Sequence, residues 1–400
     1  MTHAFIYDAI RTPRGKAKAS GGLHDLSPFE LLAPLYAAIC RRTGLNAELV
    51  GEVVLGCVTQ YGEQAGNIAK TSALYAGWPS HISGLTVNRF CSSGLDAINI
   101  AALKIIAGQE EVMVAGGIEM MSRVPMMSDQ ASVFKDPEVA LAARILLMGS
   151  GADLIASLQG ASREAVDAVA LMSQQRAAFA RDAGFFSSII PIENGSKGGM
   201  IQHDECIRAE TTLASLAQLP ASFAEVGAAG ADAVQLAHYQ QLSEISHVHT
   251  AGNSPAMADA AALVLIGTLS LADRIETQPR AVIRAMVNAA DEPLQVLSGC
   301  VVATEKLLRT QGLTVDDIDL FEIHEAFAAT VLKVQADLGI PVEKLNVNGG
   351  VIAMGHPLGA TGSIMMGVLL DELDRRELTL GVVATSGAAG LGTAILVERL

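Results

Sequence analysis

The sequence predicts an α/β fold made of two similar halves, with an unlike segment inserted between them. Three observations carry that prediction. Short β-branched stretches alternate with helical periodicities along 400 residues, the pattern of βαβ units and a largely parallel sheet. A stretch near the N-terminus recurs near the C-terminus at a nearly constant spacing. Half of the residues are hydrophobic but only 4% are aromatic, and 38 are glycine, which suits close helix–sheet packing around a sizeable core.

A strand is expected at once, over Ala4 to Tyr7. The string C-R-R-T-G-L-N-A-E-L-V-G-E-V-V-L-G, 40 to 56, then reads as a helix end at Gly44, an acidic turn and a strand. The string L-R-T-Q-G-L-T-V-D-D-I-D-L-F-E-I, 308 to 323, has the same layout. Gly44, Leu45 and Val50 match Gly312, Leu313 and Ile318 at an offset of 268. Ile82 to Val87 is a second strand, and Leu95, Ile98, Ala102, Ile105 and Ile106 follow at helical spacing. V-M-V-A-G-G, 112 to 117, resembles V-V-A-T-S-G, 382 to 387, at an offset of 270. Late in the chain, Leu320 to Ile323 is strand-like and Ile364 to Leu373 helical. The halves are therefore about 1–119 plus 255–270, and 271–400. The segment of about 120–254 differs. It is Met-rich early (Met120, Met121, Met126, Met127, Met148), helical over Arg163 to Asp182, and Gly/Ala-rich at 227–233. Those methionines could line an adaptable pocket or be plain core.

Net charge is −15 with no basic cluster, which argues against nucleic acid and anionic membranes as partners. The five cysteines, at 40, 57, 91, 206 and 300, show neither C-x-x-C nor zinc spacing. That usage fits a reducing cytoplasm. A strand so close to the first residue leaves no room for a signal peptide. The uncharged run Val347 to Leu370 is interrupted by Gly, Pro and His, so it is a poor membrane span. No metal site is expected.

Three strings carry chemistry. N-R-F-C-S-S-G, 88 to 94, puts Cys91 where a strand turns into a helix, among small residues that let a substrate approach the backbone. A helix N-terminus favours thiolate over thiol, so Cys91 is a candidate nucleophile. G-H-P-L-G-A-T-G, 355 to 362, holds His356 on a rigid loop ahead of a helix. H-E-A-F-A, 324 to 328, places His324 just after a strand. A cysteine with histidines in such places suggests a nucleophile–base arrangement.

These strings, with A-G-G-I-E-M-M-S-R (115 to 123), T-A-G-N-S (250 to 254) and Y-D-A-I-R-T-P-R-G (7 to 15), occur in an order that resembles the thiolases, the acetyl-CoA C-acyltransferase family. Ketoacyl synthases share the fold and a nucleophilic cysteine, but their motif set is absent. The resemblance implies duplicated βαβαβ halves in a five-layer α-β-α-β-α arrangement. It implies a domain at 1–270, including a loop domain at about 120–254 over the active site, and a second at 271–400. The implied reaction is thiolytic cleavage of a 3-ketoacyl-CoA to acetyl-CoA and a shortened acyl-CoA, or its reverse. An acyl group would rest on Cys91, His356 would deprotonate that thiol, and His324 would position water or substrate oxygen. The N–H groups of Cys91 and Ala388 would hold the acyl oxygen, and Met148, Ala251, Ser254, Pro255 and Phe327 would contact substrate or CoA. Coenzyme A enters as substrate, with no tightly bound cofactor. A homodimer or homotetramer is implied, with a partner subunit of β-oxidation as a further expectation.

The chain also departs from the family pattern. Ser386 stands where the family has a second catalytic cysteine, and a hydroxyl is a far poorer proton shuttle than a thiol titrating near about 8.5. His324 or a water would then take over, or Ser386→Cys would raise thiolysis. H-E-A-F replaces the commoner N-E-A-F. Pro255 replaces a CoA-contacting serine, and Leu219 to Phe223 lacks the usual basic residues. Those departures leave open a second reading, a weakened homologue that binds acyl-CoA or serves as a complex subunit.

Overall fold

A computed structural model of the chain describes residues 3–194 and 198–400. Strand β1 (Phe5–Arg11) leads into helix α1 (Pro28–Thr43). A reciprocal cap starts that helix: the Ser27 hydroxyl accepts the Glu30 N–H, and the Glu30 carboxylate accepts the Ser27 N–H. Strand β2 (Glu52–Gly56), helix α2 (Ile68–Tyr75), strand β3 (Ser83–Val87), helix α3 (Ser93–Ile106) and strand β4 (Val112–Met120) follow. The chain then leaves the sheet. The main helices of this excursion are α4 (Met148–Gln159) and α5 (Arg163–Asp182), and it returns as β5 (Ala258–Gly267). The second half runs β6 (Ala281–Ala290), α6 (Gly299–Gln311), β7 (Leu320–Ile323), α7 (Ala328–Leu338), α8 (Thr361–Arg376), β8 (Leu380–Ser386) and β9 (Leu391–Arg399).

These strands pair in the order β7-β8-β9-β6-β1-β5-β4-β2-β3, and the short strand Gly15–Lys16 lies beside β5. Among the described residues the halves touch in the sheet only where β1 meets β6, through Phe5 opposite Val282 and Ile6 opposite Ala281. Helices then stack in five layers. Leu31, Leu35 and Ile39 of α1 cover Val53 and Leu55 on one outer face. Leu95 and Ile98 of α3, with Met366 and Leu370 of α8, fill the middle between Val54 and Ile266 of one half and Val383 and Ile395 of the other. Val301 of α6 and Val331 of α7 cover Phe321 and Val382 on the far face, where Ile155 and Val166 of the excursion join them.

The sheet is mixed rather than largely parallel. β2, β3 and β4 are parallel, as are β7 and β8, but β5 and β9 run antiparallel to their neighbours. The cause is visible in the second half. Residues 387–390 join β8 to β9, and so short a link allows only an antiparallel pair. β4 and β5 make the same pair, with residues 121–257 in place of that turn.

The internal repeat is real but its spacing is one value, not two. Glu52 lies opposite Met113 in one half and Leu320 opposite Gly381 in the other, both at an offset of 268. The match of 112–117 is therefore to 380–385, corrected from 382–387. Helix starts Ser93 and Thr361 obey the same offset. So do the left-handed helix ends Gly44 (φ 69) and Gly312 (φ 67), where a side chain is disfavoured.

The run Val347 to Leu370 enters α8, which lies in the core. Pro137–Gln159 is long and apolar enough by composition to cross a membrane. It folds instead as two helices, Pro137–Ala143 and α4, with Arg144 left-handed at φ 54 between them and the first turns of α4 buried.

Candidate active site

Two strand-to-helix turns build the centre. The first joins β3 to α3. Phe90 there has φ 50, a strained value for an aromatic residue. Its N–H donates to Asn88 Oδ1 at 2.9 Å, and its carbonyl accepts from Ser93 Oγ at 2.5 Å. The Arg89 N–H donates to Ser93 Oγ at 2.8 Å, so the strained turn is pinned on both sides. Cys91 follows Phe90 directly, just ahead of the helix start. The second turn precedes α8. The His356 N–H donates to the Ala256 carbonyl at 2.8 Å, and Nδ1 meets Thr361 Oγ1 at 2.7 Å. A hydroxyl can donate or accept, so Thr361 can serve either tautomer and leave Nε2 free to gain or lose a proton.

The turns lock together through backbone. A Cβ added at Gly117 would fall 2.2 Å from the Gly359 carbonyl oxygen, and one at Gly94 2.6 Å from it. Buried Glu119 adds a clasp. Its Oε2 accepts N–H groups of Val58 (2.9 Å) and Gly359 (3.0 Å), and its Oε1 those of Thr59 (3.1 Å) and the Gln64 amide (2.9 Å).

His324, at the end of β7, is the third arm. Its Nδ1 lies 3.2 Å from the Ser386 carbonyl oxygen, which fixes the proton on Nδ1. Its Nε2 is buried with no partner. The His324 and His356 rings are 4.5 Å apart between centroids, tilted by 44°. Glu325 supports this arm, accepting from Ser173 Oγ at 2.7 Å and the Ile352 N–H at 3.2 Å.

Cys91, His324 and His356 line one cavity of about 300 Å³. Ala388, Met148, Phe327 and Pro255 lie on its walls. Phe327 stacks edge to face with Phe223 (5.8 Å) and His249 (5.3 Å). Met121, Met126 and Met127 also face it, while Met120 is core. Three predicted residues are not brought there. Ala251 is exposed and off the lining. Ser254 has a buried hydroxyl without a partner, off the lining. Ser386 is fully buried: its Oγ donates to the Leu297 carbonyl (2.8 Å) and accepts the Cys300 N–H (2.9 Å). Its side chain is therefore engaged away from the cavity lining, and its backbone carbonyl meets His324.

One expectation needs correction. The helix start does not hold Cys91 as a thiolate. Burial, helped by the Glu119 carboxylate, pushes the thiol up to about 12. Burial also lowers His324 to about 4. It lowers His356 well below the ordinary imidazole value, aided by His324 and Arg14. The site thus holds a neutral thiol beside two neutral imidazoles that can accept its proton.

A thiolase N-terminal domain model matches residues 4–237 and a thiolase C-terminal domain model matches 277–399. The chain belongs to the thiolase family. It is 38% identical to the 3-oxoadipyl-CoA/3-oxo-5,6-dehydrosuberyl-CoA thiolase of Escherichia coli and 36% identical to a 3-ketoacyl-CoA thiolase of Colwellia psychrerythraea, each over the full length of both chains. The crystal structure of a Bacillus anthracis acetyl-CoA acetyltransferase superposes with a TM-score of 0.86 at 32% identity, covering 100% of this chain and 99% of that one. This thiolase is an acyl-CoA C-acyltransferase.

Sequence reasoning missed three supports of the site. Glu119, a carboxylate among the apolar residues of β4, signals a buried acceptor of N–H groups, and Glu325, in the loop just after β7, plays the same part beside His324. Thr361 was a further signal, a hydroxyl five residues after His356.

Proposed function

We propose that this thiolase cleaves 3-ketoacyl-CoA through an acyl group on Cys91. The observation that carries the proposal is the shared cavity of Cys91, His324 and His356. As substrate enters, His356 Nε2 takes the Cys91 proton and the thiolate attacks the 3-keto carbon. The Cα–Cβ bond breaks, and acetyl-CoA leaves as an enolate that must gain a proton. A CoA thiol then gives up its proton and takes the acyl group from Cys91. N–H groups of Cys91 and Ala388 face the acyl oxygen as it gains charge.

The second proton transfer needs another group. The Ser386 hydroxyl is turned away and engaged twice, whereas His324 Nε2 is unpartnered and on the cavity. The proposal therefore gives His324 both the positioning role and the second acid–base role. Met148, Phe327 and Pro255 form the wall along which the pantetheine arm lies. Ser254 and Ala251 contribute backbone shape rather than side-chain contacts.

Assembly into a homodimer or homotetramer belongs to the same proposal. Its support is the open edge of strand β3, whose Leu85 is exposed, together with exposed Leu103 and Ile106 on α3. Light scattering should give at least a dimer, and a monomer at all concentrations would remove that part.

Intact-protein mass after mixing with a 3-ketoacyl-CoA tests the chemistry. The expected result is one acyl group on Cys91, discharged by added CoA. Binding of acyl-CoA with no acyl adduct would instead favour an acyl-CoA-binding subunit.

A further inference from the structure

We infer that the acyl chain carried on Cys91 is neutral and apolar to its end, and that a chain ending in a carboxylate is rejected. This rests on the reading of the cavity as the acyl site and names the substrate class within it.

The surroundings of Cys91 are aliphatic. Cys91 clusters with Met121 and Leu358, flanked by Val58 and Met126. Farther along the wall, Phe90 and Phe134 meet edge to face at 6.1 Å. Val133 and Phe134 face both this cavity and a second one of about 360 Å³, so the apolar surface continues past them. The second cavity is lined by residues such as Leu141, Leu146, Val226 and Val234, with no polar side chain among its described lining.

What these walls lack decides the chemistry. No Lys or Arg lines either cavity among the described residues. The charged lining residue is Asp129, exposed at the rim, which repels an anion. Asn88 is neutral: Nδ2 gives one hydrogen to the Val58 carbonyl at 3.1 Å and Oδ1 accepts the Phe90 N–H, which leaves one amide hydrogen and no positive charge for a ligand. His324 and His356 are neutral and stand at the reacting end. Wherever these walls cover it, a terminal carboxylate finds no cation to replace its water. Methylene and methyl groups gain from the same walls, and the methionines adapt to their course. The 38% identical relative is named for 3-oxoadipyl-CoA, whose chain ends in a carboxylate, so the inference separates this chain from that relative.

Two substrates of equal length test it: 3-oxohexanoyl-CoA, ending in a methyl group, and 3-oxoadipyl-CoA, ending in a carboxylate. The wild-type enzyme should favour the first in kcat/KM by at least about a hundredfold, as expected when a buried charge goes unpaired. Met126→Arg, which places a cation near Cys91, should narrow that gap to under about tenfold. A smaller gap in the wild-type enzyme, or a reversed one, overturns the inference whatever the variant does. Failure of both substrates to leave an acyl group on Cys91 would instead overturn the reading on which the inference rests, and intact mass tells the two failures apart.

Discussion

The turn that carries Cys91 and the turn that carries His356 are the same structural element used twice. Both lie before helices that start 268 residues apart, at Ser93 and Thr361. At that offset Asn88 corresponds to His356, and Cys91 to Gly359. In the first turn the early position is an amide that holds Phe90 and Val58, and the later one is the thiol. In the second the early position is the imidazole, and the later one is a glycine whose carbonyl oxygen packs against Gly94 and Gly117. A duplicated scaffold thus presents two unlike groups to one cavity by placing them at different steps of one turn. Glycine at 94 and 117 lets that carbonyl approach, and glycine at 359 makes room for the Cys57 backbone and the Glu119 carboxylate.

The largest effect should separate the two early positions. His356→Ala should slow acylation of Cys91 by about 10³- to 10⁴-fold, the upper range for loss of a general base. Asn88→Ala should slow it less than about tenfold while costing about 1–2 kcal/mol of stability from lost hydrogen bonds. Stopped-flow acylation and denaturant unfolding on both variants provide the check. Similar rate losses would mean that Asn88 also touches the reaction and that the division of labour is wrong.

The next effect concerns the later position. A thiol held near 12, beside an imidazole lowered below its usual range, stays protonated through neutral pH. The thiolate fraction then rises about tenfold per pH unit on the alkaline side. Iodoacetamide labelling of Cys91 in the substrate-free enzyme should therefore climb steadily from pH 7 to pH 10, measured by peptide mapping. A plateau reached below pH 8 would show a thiolate stabilised at rest, and the helix start would regain the role that burial now overrides.

His324 sharpens the comparison from outside the two turns. His324→Ala should leave Cys91 open to labelling and allow acylation, but slow discharge of the acyl group to CoA by about 10²-fold. Acyl-enzyme should accumulate in the steady state, visible by intact mass. Loss of acylation and discharge in equal measure would merge its role with that of His356.

Much of this was legible in the residues because it is local. Gly44 and Gly312 mark left-handed helix ends, and a Cys or His between small residues at a strand end marks a reactive turn. The offset of 268 was legible from the same signals. Its apparent drift to 270 arose because two apolar strands match almost equally well at neighbouring alignments, and only the pairing of Glu52 with Met113 and Leu320 with Gly381 fixes it. The antiparallel strands β5 and β9 were hidden because strand direction depends on the length of a connection, and residues 121–257 mask the equivalence with the turn at 387–390. The protonation of Cys91 was hidden for a related reason. A helix start can be read locally, whereas burial and the approach of Glu119 come from distant segments.

The smallest effect is expected at Ser386, where family pattern and geometry point in different directions. Pattern places this residue where a catalytic thiol belongs, and so expects Ser386→Cys to raise thiolysis. Geometry gives the hydroxyl two buried partners, the Leu297 carbonyl and the Cys300 N–H, and leaves only its backbone carbonyl facing His324. Ser386→Ala should cost about 1–3 kcal/mol, because both partners lose their bond in a buried place. It should change kcat less than about tenfold, well short of the loss expected for an acid–base group. Ser386→Cys should behave likewise, since a thiol in the same rotamer faces Leu297 and bonds to it more weakly. Denaturant unfolding and steady-state thiolysis measured together decide the matter. If Ser386→Cys instead raises kcat about tenfold or more, the side chain at 386 swings into the cavity during turnover. Discharge of the acyl group then belongs to that position, not to His324.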